Sequence, residues 1–275
     1  MIQNTPDTTS HEKLKEEYET DGLIRSSFPL ADGRLVEELR KDVPRCLVEV
    51  TRNKEDKLFR VPYMLTQSIV NATHDMNILR VVSAALGTDE LVMWGPNIQR
   101  GTPNEAALWH TDIESWFWPS LTVAVGLHGC SQENSTICVP GTHKFPVQPW
   151  SVAHNWKNED ILAAANHIDP ACDRIENFRD FGPGRFYVFN AKTWHCGVPL
   201  VSGTRELLFL HYQRASDPRI PYFKNYNQCT WFDFPAVYWK VNTGKPFDVN
   251  QELYPVADME FVGPQMEYRR PGYNG

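Results

Sequence analysis

The chain has 275 residues, 41% of them hydrophobic, and a formal net charge of −7. A chain of this length and composition can bury one large core, so we expect a single domain over residues 1–275. The acidic balance argues against nucleic acid or an anionic membrane as a partner, and no apolar run is long enough to cross a bilayer.

The cysteines and the N-terminus indicate the cellular compartment that we expect for the protein. The first residues, Met1 to Pro6, lack the apolar core of a secretion signal. The six cysteines are scattered without CxxC pairs: Cys46, Cys130, Cys138, Cys172, Cys196 and Cys229. This pattern favours free thiols in a reducing cytoplasm.

Three helices are expected between residues 10 and 87. Ser10 is placed to cap a first helix that carries Leu14 and Tyr18 and ends at Gly22. A second helix is expected over residues 33–42, with Pro44 ending it. A third is expected over residues 74–86, where apolar side chains recur at helical spacing before Gly87.

From residue 90 onward the pattern changes to short strands and turns. Strands are predicted at 90–98, 121–127, 135–139, 185–190 and 206–213, with one helix at 157–166. We therefore expect a mainly β protein with flanking helices, built on a jelly-roll core. The aromatic tail from residue 215 has no clear period, and we expect it to pack over the barrel or its mouth.

A His and an Asp two residues apart form the first candidate site. In a strand, His110 and Asp112 point to the same face. With His195 as a third ligand, they make the two-His, one-carboxylate set typical of non-haem Fe(II) enzymes. The alternative is a buried His–Asp hydrogen bond with no metal. A second HxD, at His167 and Asp169, follows a helical run and is interpreted as a helix end.

Arg205 is the next candidate, ten residues after His195. It opens the apolar run at 206–210, where an unpaired charge would be costly. Its guanidinium could bind a dicarboxylate with two hydrogen bonds. His211 has the same strand parity as Arg205, and we interpret it as a packing residue.

Taken in order, these motifs resemble the phytanoyl-CoA dioxygenase family. The resemblance spans residues 93–214 and includes the turn Pro140-Gly141-Thr142-His143, in which the histidine is a feature of the turn and not a ligand. It implies a double-stranded β-helix fold, with Fe(II) held by the three predicted ligands. It also implies 2-oxoglutarate at Arg205 and O2 as the oxidant.

Residues Trp109 to Trp116 are also similar to a segment of ectoine hydroxylases in that family. The resemblance implies that Asn97, Thr122 and Gln99 lie near 2-oxoglutarate, with Thr122 and Arg205 at its distal carboxylate. Gln99 stands where those enzymes have a lysine, and Gly197 where they have a serine that contacts 2-oxoglutarate. The rest of the ectoine signature is missing, so ectoine is not inferred as the substrate.

Two further residues continue the parity of the metal ligands. If the strand persists, Glu114 and Trp116 face the same way as His110 and Asp112. They would then select a substrate with a cationic or strongly hydrogen-bonding group. The alternative is that the strand ends at Asp112, which leaves Glu114 in solvent and Trp116 in packing.

The function implied by the resemblance is hydroxylation of an aliphatic carbon of a small molecule, plausibly in natural-product metabolism. Desaturation, cyclisation or epimerisation at the same iron site stays open, as does a non-catalytic β-barrel binding protein. Asp112 argues against a halogenase, whose iron site has Gly or Ala in place of the carboxylate. The oligomeric state is not predicted.

Overall fold

A computed structural model describes residues 10–53, 66–103, 108–112, 120–147, 149, 157–217 and 238–241. The helices in these ranges are α1 (His11–Asp21), α2 (Gly33–Asn53), α3 (Gln67–Thr73), α4 (Met76–Leu86) and α5 (Asn158–Ile168). The strands are β1 (Leu23–Pro29), β2 (Leu91–Gly101), β3 (Leu121–His128), β4 (Thr136–Cys138), β5 (Glu176–Asn177), β6 (Arg185–Asn190), β7 (His195–Gly197), β8 (Arg205–Arg214) and β9 (Tyr238–Val241). Among the described helices, none is long and apolar enough to cross a membrane.

The strands form two antiparallel sheets. The larger has the order β1-β6-β3-β8-β2-β9, and the smaller has the order β5-β4-β7. An antiparallel bridge between His110 and His195 adds the segment around His110 to the smaller sheet, beside β7. This is the predicted jelly-roll core with flanking helices.

Side chains of the larger sheet alternate between two hydrophobic clusters, as strand geometry requires. Leu208, Leu210 and Tyr212 of β8 pack in one cluster with the buried residues of α1 and α4. Leu207 of β8 instead packs with Tyr187, Phe189 and Cys138, which come from both sheets. The second cluster therefore lies inside the barrel, between the sheets, and identifies the face that can carry a site.

The smaller sheet uses its outer face for a third cluster. Trp194 and Cys196 flank His195 in sequence and pack with Trp109 and with Ile161 and Ala165 of α5. Because neighbouring strand residues point in opposite directions, His195 is directed to the interior of the barrel.

The predicted ends of the first helix and the predicted end of the third are confirmed. Ser10 caps α1 by accepting a hydrogen bond from the Lys13 N–H at 3.3 Å, and Gly22 ends it with φ of 73°. Gly87 ends α4 in the same left-handed conformation. The third helix begins later than predicted, because the Asp75 carboxylate caps it at the N–H groups of Asn77 and Ile78.

The prediction that Pro44 ends the second helix is wrong. Helix α2 continues through Pro44 to Asn53. A proline in a helix removes one backbone hydrogen bond, at a cost of about 3 kcal/mol. Leu35, Leu39 and Val43 are buried on one side of α2 and anchor the turns before the proline. The proline removes one hydrogen bond without forcing the chain out of the helix, and the turns before it are fixed by this burial. Helix α3 was not predicted.

Candidate metal centre

The structure brings His110, Asp112 and His195 together inside the barrel. One ligand atom from each lies within 4.8 Å of the others. The His195 Nε2 is 3.6 Å from the Asp112 Oδ1, and the two imidazole rings have centroids 4.2 Å apart. Two imidazoles and one carboxylate converging in this way fit a divalent transition metal.

Backbone hydrogen bonds fix the relative position of the three ligands. The N–H groups of His110 and His195 each donate to the carbonyl of the other residue at 2.9 Å. The Asp112 N–H donates to the carbonyl of Ala191 at 2.8 Å. None of these bonds involves a ligand side chain, so the scaffold of the site does not depend on the metal.

Both imidazoles are oriented by backbone carbonyls. The Nδ1 of His110 lies 2.7 Å from the Leu108 carbonyl, and the Nδ1 of His195 lies 2.8 Å from the Thr193 carbonyl. Since a carbonyl only accepts, each Nδ1 carries the proton, and each Nε2 keeps a lone pair. This is the tautomer that a metal site requires, and such partners raise the basicity of the ligand.

The tryptophans that precede the two histidines hold the site from outside. The Trp109 Nε1 donates to the Asn158 Oδ1 at 3.0 Å, and the Trp194 Nε1 donates to the Val147 carbonyl at 3.1 Å. Cys196 packs on the same outer face. Cys196 therefore faces away from the three ligands, as expected for the strand neighbour of His195.

A chain of hydrogen bonds leads away from the Asp112 carboxylate. The Thr122 hydroxyl donates to Asp112 Oδ2 at 2.8 Å, and the Thr122 Oγ1 lies 3.3 Å from the His211 Nδ1. The His211 Nε2 lies 3.4 Å from the Asn97 Nδ2. A carboxylate only accepts, so the Thr122 proton points to Asp112 and its oxygen accepts from His211. Asp112 therefore turns Oδ1 towards His195 and Oδ2 towards Thr122.

The electrostatics of the ligands favour metal binding near neutral pH. Burial lowers the pKa of His195 to about 4, with His110 acting in the same direction. Burial acts to raise the pKa of Asp112, but His195, His211, His110 and the Thr122 hydroxyl outweigh it and bring that pKa below its usual range. A neutral imidazole and an ionised carboxylate are the forms that bind a metal.

Arg205 lies in the same interior, and only part of its guanidinium has hydrogen-bond partners among the described residues. Its side chain is buried, and its Nη1 donates to the carbonyls of Asn134 and Val198, the latter at 3.2 Å. Its Nε is buried and has no hydrogen-bond partner among the described residues. The neighbouring Glu206 pairs with Arg100 instead. A buried cation in this state is costly unless a ligand pairs with it.

The guanidinium packs against two glycines. A β-carbon at Gly101 would lie 3.5 Å from the Arg205 Nη2 and 3.7 Å from its Nε. A β-carbon at Gly197 would lie 3.0 Å from the Nη2. The Nε and Nη2 atoms form the edge of a guanidinium that can bind a carboxylate with two hydrogen bonds. A side chain at either position would crowd the guanidinium, so the two glycines let this edge approach the backbone closely.

The spacing between the Arg205 guanidinium and the metal ligands suits a short diacid. Gly197 is two residues beyond His195 on β7, so the two α-carbons lie about 6.5 Å apart on the same face of the strand. A carboxylate at Arg205 and a chelating group at the three ligands could belong to one five-carbon molecule. The residues present fit 2-oxoglutarate.

Thr122 lies beside the metal ligands, on the strand next to β8. It pairs with His211, which is six residues from Arg205 along β8, or about 20 Å at the rise of an extended strand. Its hydroxyl is used by Asp112. Thr122 thus supports a metal ligand, and its role at the distal carboxylate stays a prediction.

The remaining predicted residues fall into two groups. Asn97 is half-buried in the hydrogen-bond chain near Asp112, and Gln99 is exposed two residues further along β2, on the same strand face. Glu114 and Trp116 lie outside the residues that the structure describes.

Sequence reasoning missed His211 as a neighbour of the site. It was interpreted as a packing residue, although its shared parity with Arg205 placed it on the interior face. The structure agrees with the interpretation of His143 as a residue of the turn and of His167 as part of a helix end. His143 contacts the Glu19 carbonyl at the end of α1 at 3.2 Å, and His167 lies in the last turn of α5.

Comparison with known proteins gives a match in structure and none in sequence. No family model and no curated protein sequence matches the chain. The epimerase SnoN from nogalamycin biosynthesis, described as non-haem and α-ketoglutarate-dependent, superimposes with a TM-score of 0.60 at 15% identity, covering 92% of this chain and 98% of SnoN.

Two other solved structures give similar values. EctD from S. alaskensis, solved with bound Fe, has a TM-score of 0.58 at 18% identity, covering 76% of this chain and 79% of EctD. The non-haem monooxygenase ThoJ has a TM-score of 0.56 at 17% identity, covering 74% and 78%. At these identities the similarity establishes the fold. The chain has the double-stranded β-helix fold of these non-haem enzymes.

Proposed function

We propose that the chain is an Fe(II)- and 2-oxoglutarate-dependent oxygenase, in one domain, that hydroxylates an aliphatic carbon of a small molecule. The observation that carries this proposal is the cluster of His110, Asp112 and His195. Both imidazoles are held in the tautomer that leaves Nε2 for a metal. Three protein ligands on one side of an iron ion leave its other positions for exchangeable ligands.

Arg205 supports 2-oxoglutarate as the cosubstrate. Its buried Nε has no partner among the described residues, and Gly101 and Gly197 place no side chain against the edge formed by Nε and Nη2. Arg205 would bind the distal carboxylate there. Iron and 2-oxoglutarate together would supply the activation of O2, with 2-oxoglutarate oxidised to succinate and CO2 and one oxygen atom inserted into a C–H bond of the substrate.

The chain's own residues would orient the reactants and limit access of water. Asp112 is held by Thr122, and the two histidines are held by backbone carbonyls, so little reorganisation is needed when the metal binds. The apolar cluster that includes Tyr187, Phe189 and Leu207 lines the closed side of the interior. Such a lining limits the loss of the oxidant to water.

For the substrate we propose a class and not a single compound. The epimerase SnoN and the carbocyclase SnoK, which also has a similar structure, both come from nogalamycin biosynthesis, which supports a natural-product substrate here. Epimerisation or carbocyclisation at the same iron site is therefore the second candidate function. A non-catalytic binding protein is disfavoured by a metal cluster and a cosubstrate site in the same interior.

The test is turnover of 2-oxoglutarate by anaerobically reconstituted protein. We expect Fe(II)-dependent succinate release that is slow without substrate and is stimulated by one member of a natural-product panel. The matched control is His128→Ala, which changes an exposed histidine on β3, and it should behave as wild type. Absence of succinate with every panel member, in protein that binds one Fe(II) per chain, would contradict the proposal.

A further inference from the structure

One short turn holds two of the three candidate metal ligands. The turn at residues 190–193 lies between β6 and β7. Its Ala191 carbonyl accepts the backbone N–H of Asp112 at 2.8 Å. Its Thr193 carbonyl lies 2.8 Å from the Nδ1 of His195 and accepts the ring proton. The position of this turn therefore sets the backbone at one ligand and the orientation of the ring at another.

The turn is attached to the end of α1. The Gly22 carbonyl, directly after the helix, accepts two hydrogen bonds from it. The Thr193 hydroxyl donates at 2.8 Å, and the Asn190 N–H donates at 2.7 Å. A carbonyl oxygen has two lone pairs, so both bonds can form together. Thr193 is fully buried, and it contacts α1 with its side chain and a metal ligand with its carbonyl.

Glycine at position 22 permits this close approach. Its φ of 73° lies in the left-handed region, which glycine adopts without strain. A β-carbon at this position would lie 2.5 Å from the Thr193 Oγ1 and would also collide with the His143 ring. Any side chain here would push the turn away from α1. The residue that ends the helix therefore also allows the turn to pack against it.

Hydrogen bonds within the turn join its residues into one unit. The Asn190 carbonyl accepts the Thr193 N–H at 2.8 Å, and the Asn190 Oδ1 accepts the Lys192 N–H at 2.9 Å. The Ala191 N–H donates to the carbonyl of Ser120, directly before β3, at 3.1 Å. A displacement of Thr193 would therefore also displace the Ala191 carbonyl, and it would reach both ligands.

We propose that Thr193 is a positioning residue of the metal centre, which fixes His195 and Asp112 relative to the end of α1 through the turn at residues 190–193. This inference rests on the proposed function, since it concerns the metal site of that reaction. Thr193 does not bind the metal. It restricts the positions of the two ligands in the metal-free protein, and a site whose ligands are already oriented binds its metal more tightly.

The test measures metal affinity and the state of the metal-free ligands. Mn(II), a substitute for iron that is stable in air, is titrated into metal-free protein, and free Mn(II) is followed by EPR. Long-range 1H–15N NMR of the metal-free protein shows whether the His195 proton is on Nδ1 or on Nε2.

Two variants of Thr193 and one control are compared. Thr193→Val keeps the shape of the side chain but loses the hydroxyl, and Thr193→Ser keeps the hydroxyl. Lys144→Met is the matched control, because Lys144 donates to another carbonyl at the end of α1, that of Thr20 at 2.8 Å, from outside the turn at residues 190–193.

We expect Thr193→Val to weaken Mn(II) binding by about 10-fold, the lower end of the range for partners of metal ligands. It should also show both tautomers of His195, because the Thr193 carbonyl is held less firmly and the Asp112 Oδ1, 3.6 Å from Nε2, can attract the proton instead. Wild type, Thr193→Ser and Lys144→Met should show the Nδ1-protonated form and similar Mn(II) affinities.

The outcomes separate the inference from the proposed function. A purely structural Thr193 would lower the Tm of Thr193→Val but leave its Mn(II) affinity and its His195 tautomer as in wild type. That result would overturn the inference and leave the proposed function intact. A loss of affinity that Thr193→Ser restores supports the inference even with one tautomer, since Asp112 depends on the same turn. If wild type binds neither Mn(II) nor Fe(II), the metal centre itself is wrong, and the inference fails with it.

Discussion

His110 and His195 face each other across an antiparallel bridge, and each donates its backbone N–H to the other's carbonyl at 2.9 Å. Two segments 85 residues apart in the chain are thereby joined at the residues whose side chains meet at the candidate metal site. Because the bridge uses only backbone atoms, either side chain can be removed without breaking it. This makes the ligand assignment testable by mutation.

We expect His110→Ala and His195→Ala to fold and to bind Fe(II) more than 100-fold more weakly than wild type, because each loses one of three protein ligands. Metal content after anaerobic reconstitution and gel filtration measures this directly. Wild type should also gain thermal stability on adding Fe(II), through linkage between binding and folding, and both variants should lose that gain. His128→Ala is the matched control. Stoichiometric iron in both ligand variants would refute the assignment.

The second prediction concerns the residue that orients Asp112. Thr122→Val removes the hydroxyl that donates to Asp112 Oδ2, and partners of metal ligands typically contribute 10- to 100-fold in affinity. We expect a loss of metal affinity of about this size, measured by Mn(II) titration. With the metal at saturation, the dependence on 2-oxoglutarate should stay near that of wild type.

Thr122→Ser is the control for that change, since it keeps the hydroxyl and should bind metal nearly as wild type does. The predicted role at the distal carboxylate makes the opposite prediction for Thr122→Val, with unchanged metal affinity and weaker 2-oxoglutarate binding. The two assignments are therefore separated by one pair of titrations.

The metal cluster was predictable because it depends on a local rule. Residues two apart in an extended segment point to the same face. This relation between His110 and Asp112 can be read from the sequence without knowing any partner strand. The order of the motifs along the chain identified His195 and Arg205 as further members of the site. The same reasoning identifies Ser10 and Gly22 as helix ends, because caps are set by the residues themselves.

Features that depend on strand register were not predictable in this way. That Thr136 lies opposite Gly197, and Thr122 opposite His211, follows from how separate strands pair, which spacing along the chain does not specify. The end of α2 was mispredicted for a related reason. The effect of Pro44 is local, whereas the burial of Leu39 and Val43 that fixes the turns before it comes from tertiary packing.

The third prediction compares charge with geometry at Arg205. The guanidinium donates from Nη1 to two carbonyls, and its buried Nε has no hydrogen-bond partner among the described residues. Arg205→Ala should raise the 2-oxoglutarate concentration needed for half-maximal succinate release by about 30- to 1000-fold, the range for a charge-assisted pair. Iron affinity should change far less.

Arg205→Lys keeps the charge but loses the two-pronged edge. We expect it to recover only part of the loss in Arg205→Ala, with the remainder attributable to geometry. Initial rates at saturating iron, measured over a range of 2-oxoglutarate concentrations, give both values. An unchanged requirement in Arg205→Ala would show that another residue binds the cosubstrate.

The last prediction concerns acid stability and His143. Burial lowers the pKa of His143 to about 4; the nearby Lys144 and Lys192 add to this effect, and the Glu19 carbonyl and Asp21 oppose it. Its pKa in the unfolded chain is about 6.5, so the unfolded state takes up the proton first as the pH falls. The free energy of unfolding should therefore decrease between about pH 6.5 and pH 4, and His143 should account for about 1–2 kcal/mol of the loss between pH 7 and pH 5.

His143→Gln tests this, because an amide does not titrate and can still donate to the Glu19 carbonyl that His143 contacts at 3.2 Å. Urea denaturation at pH 7 and pH 5 should show that this variant loses less stability on acidification than wild type, by the amount above. His195 and His211 are also buried with lowered pKa values, so part of the pH dependence should remain. The exposed His128→Gln should lose as much stability as wild type. If His143→Gln does so too, His143 is already accessible to protons in the folded protein, and the turn at residues 140–143 is not closed against the end of α1.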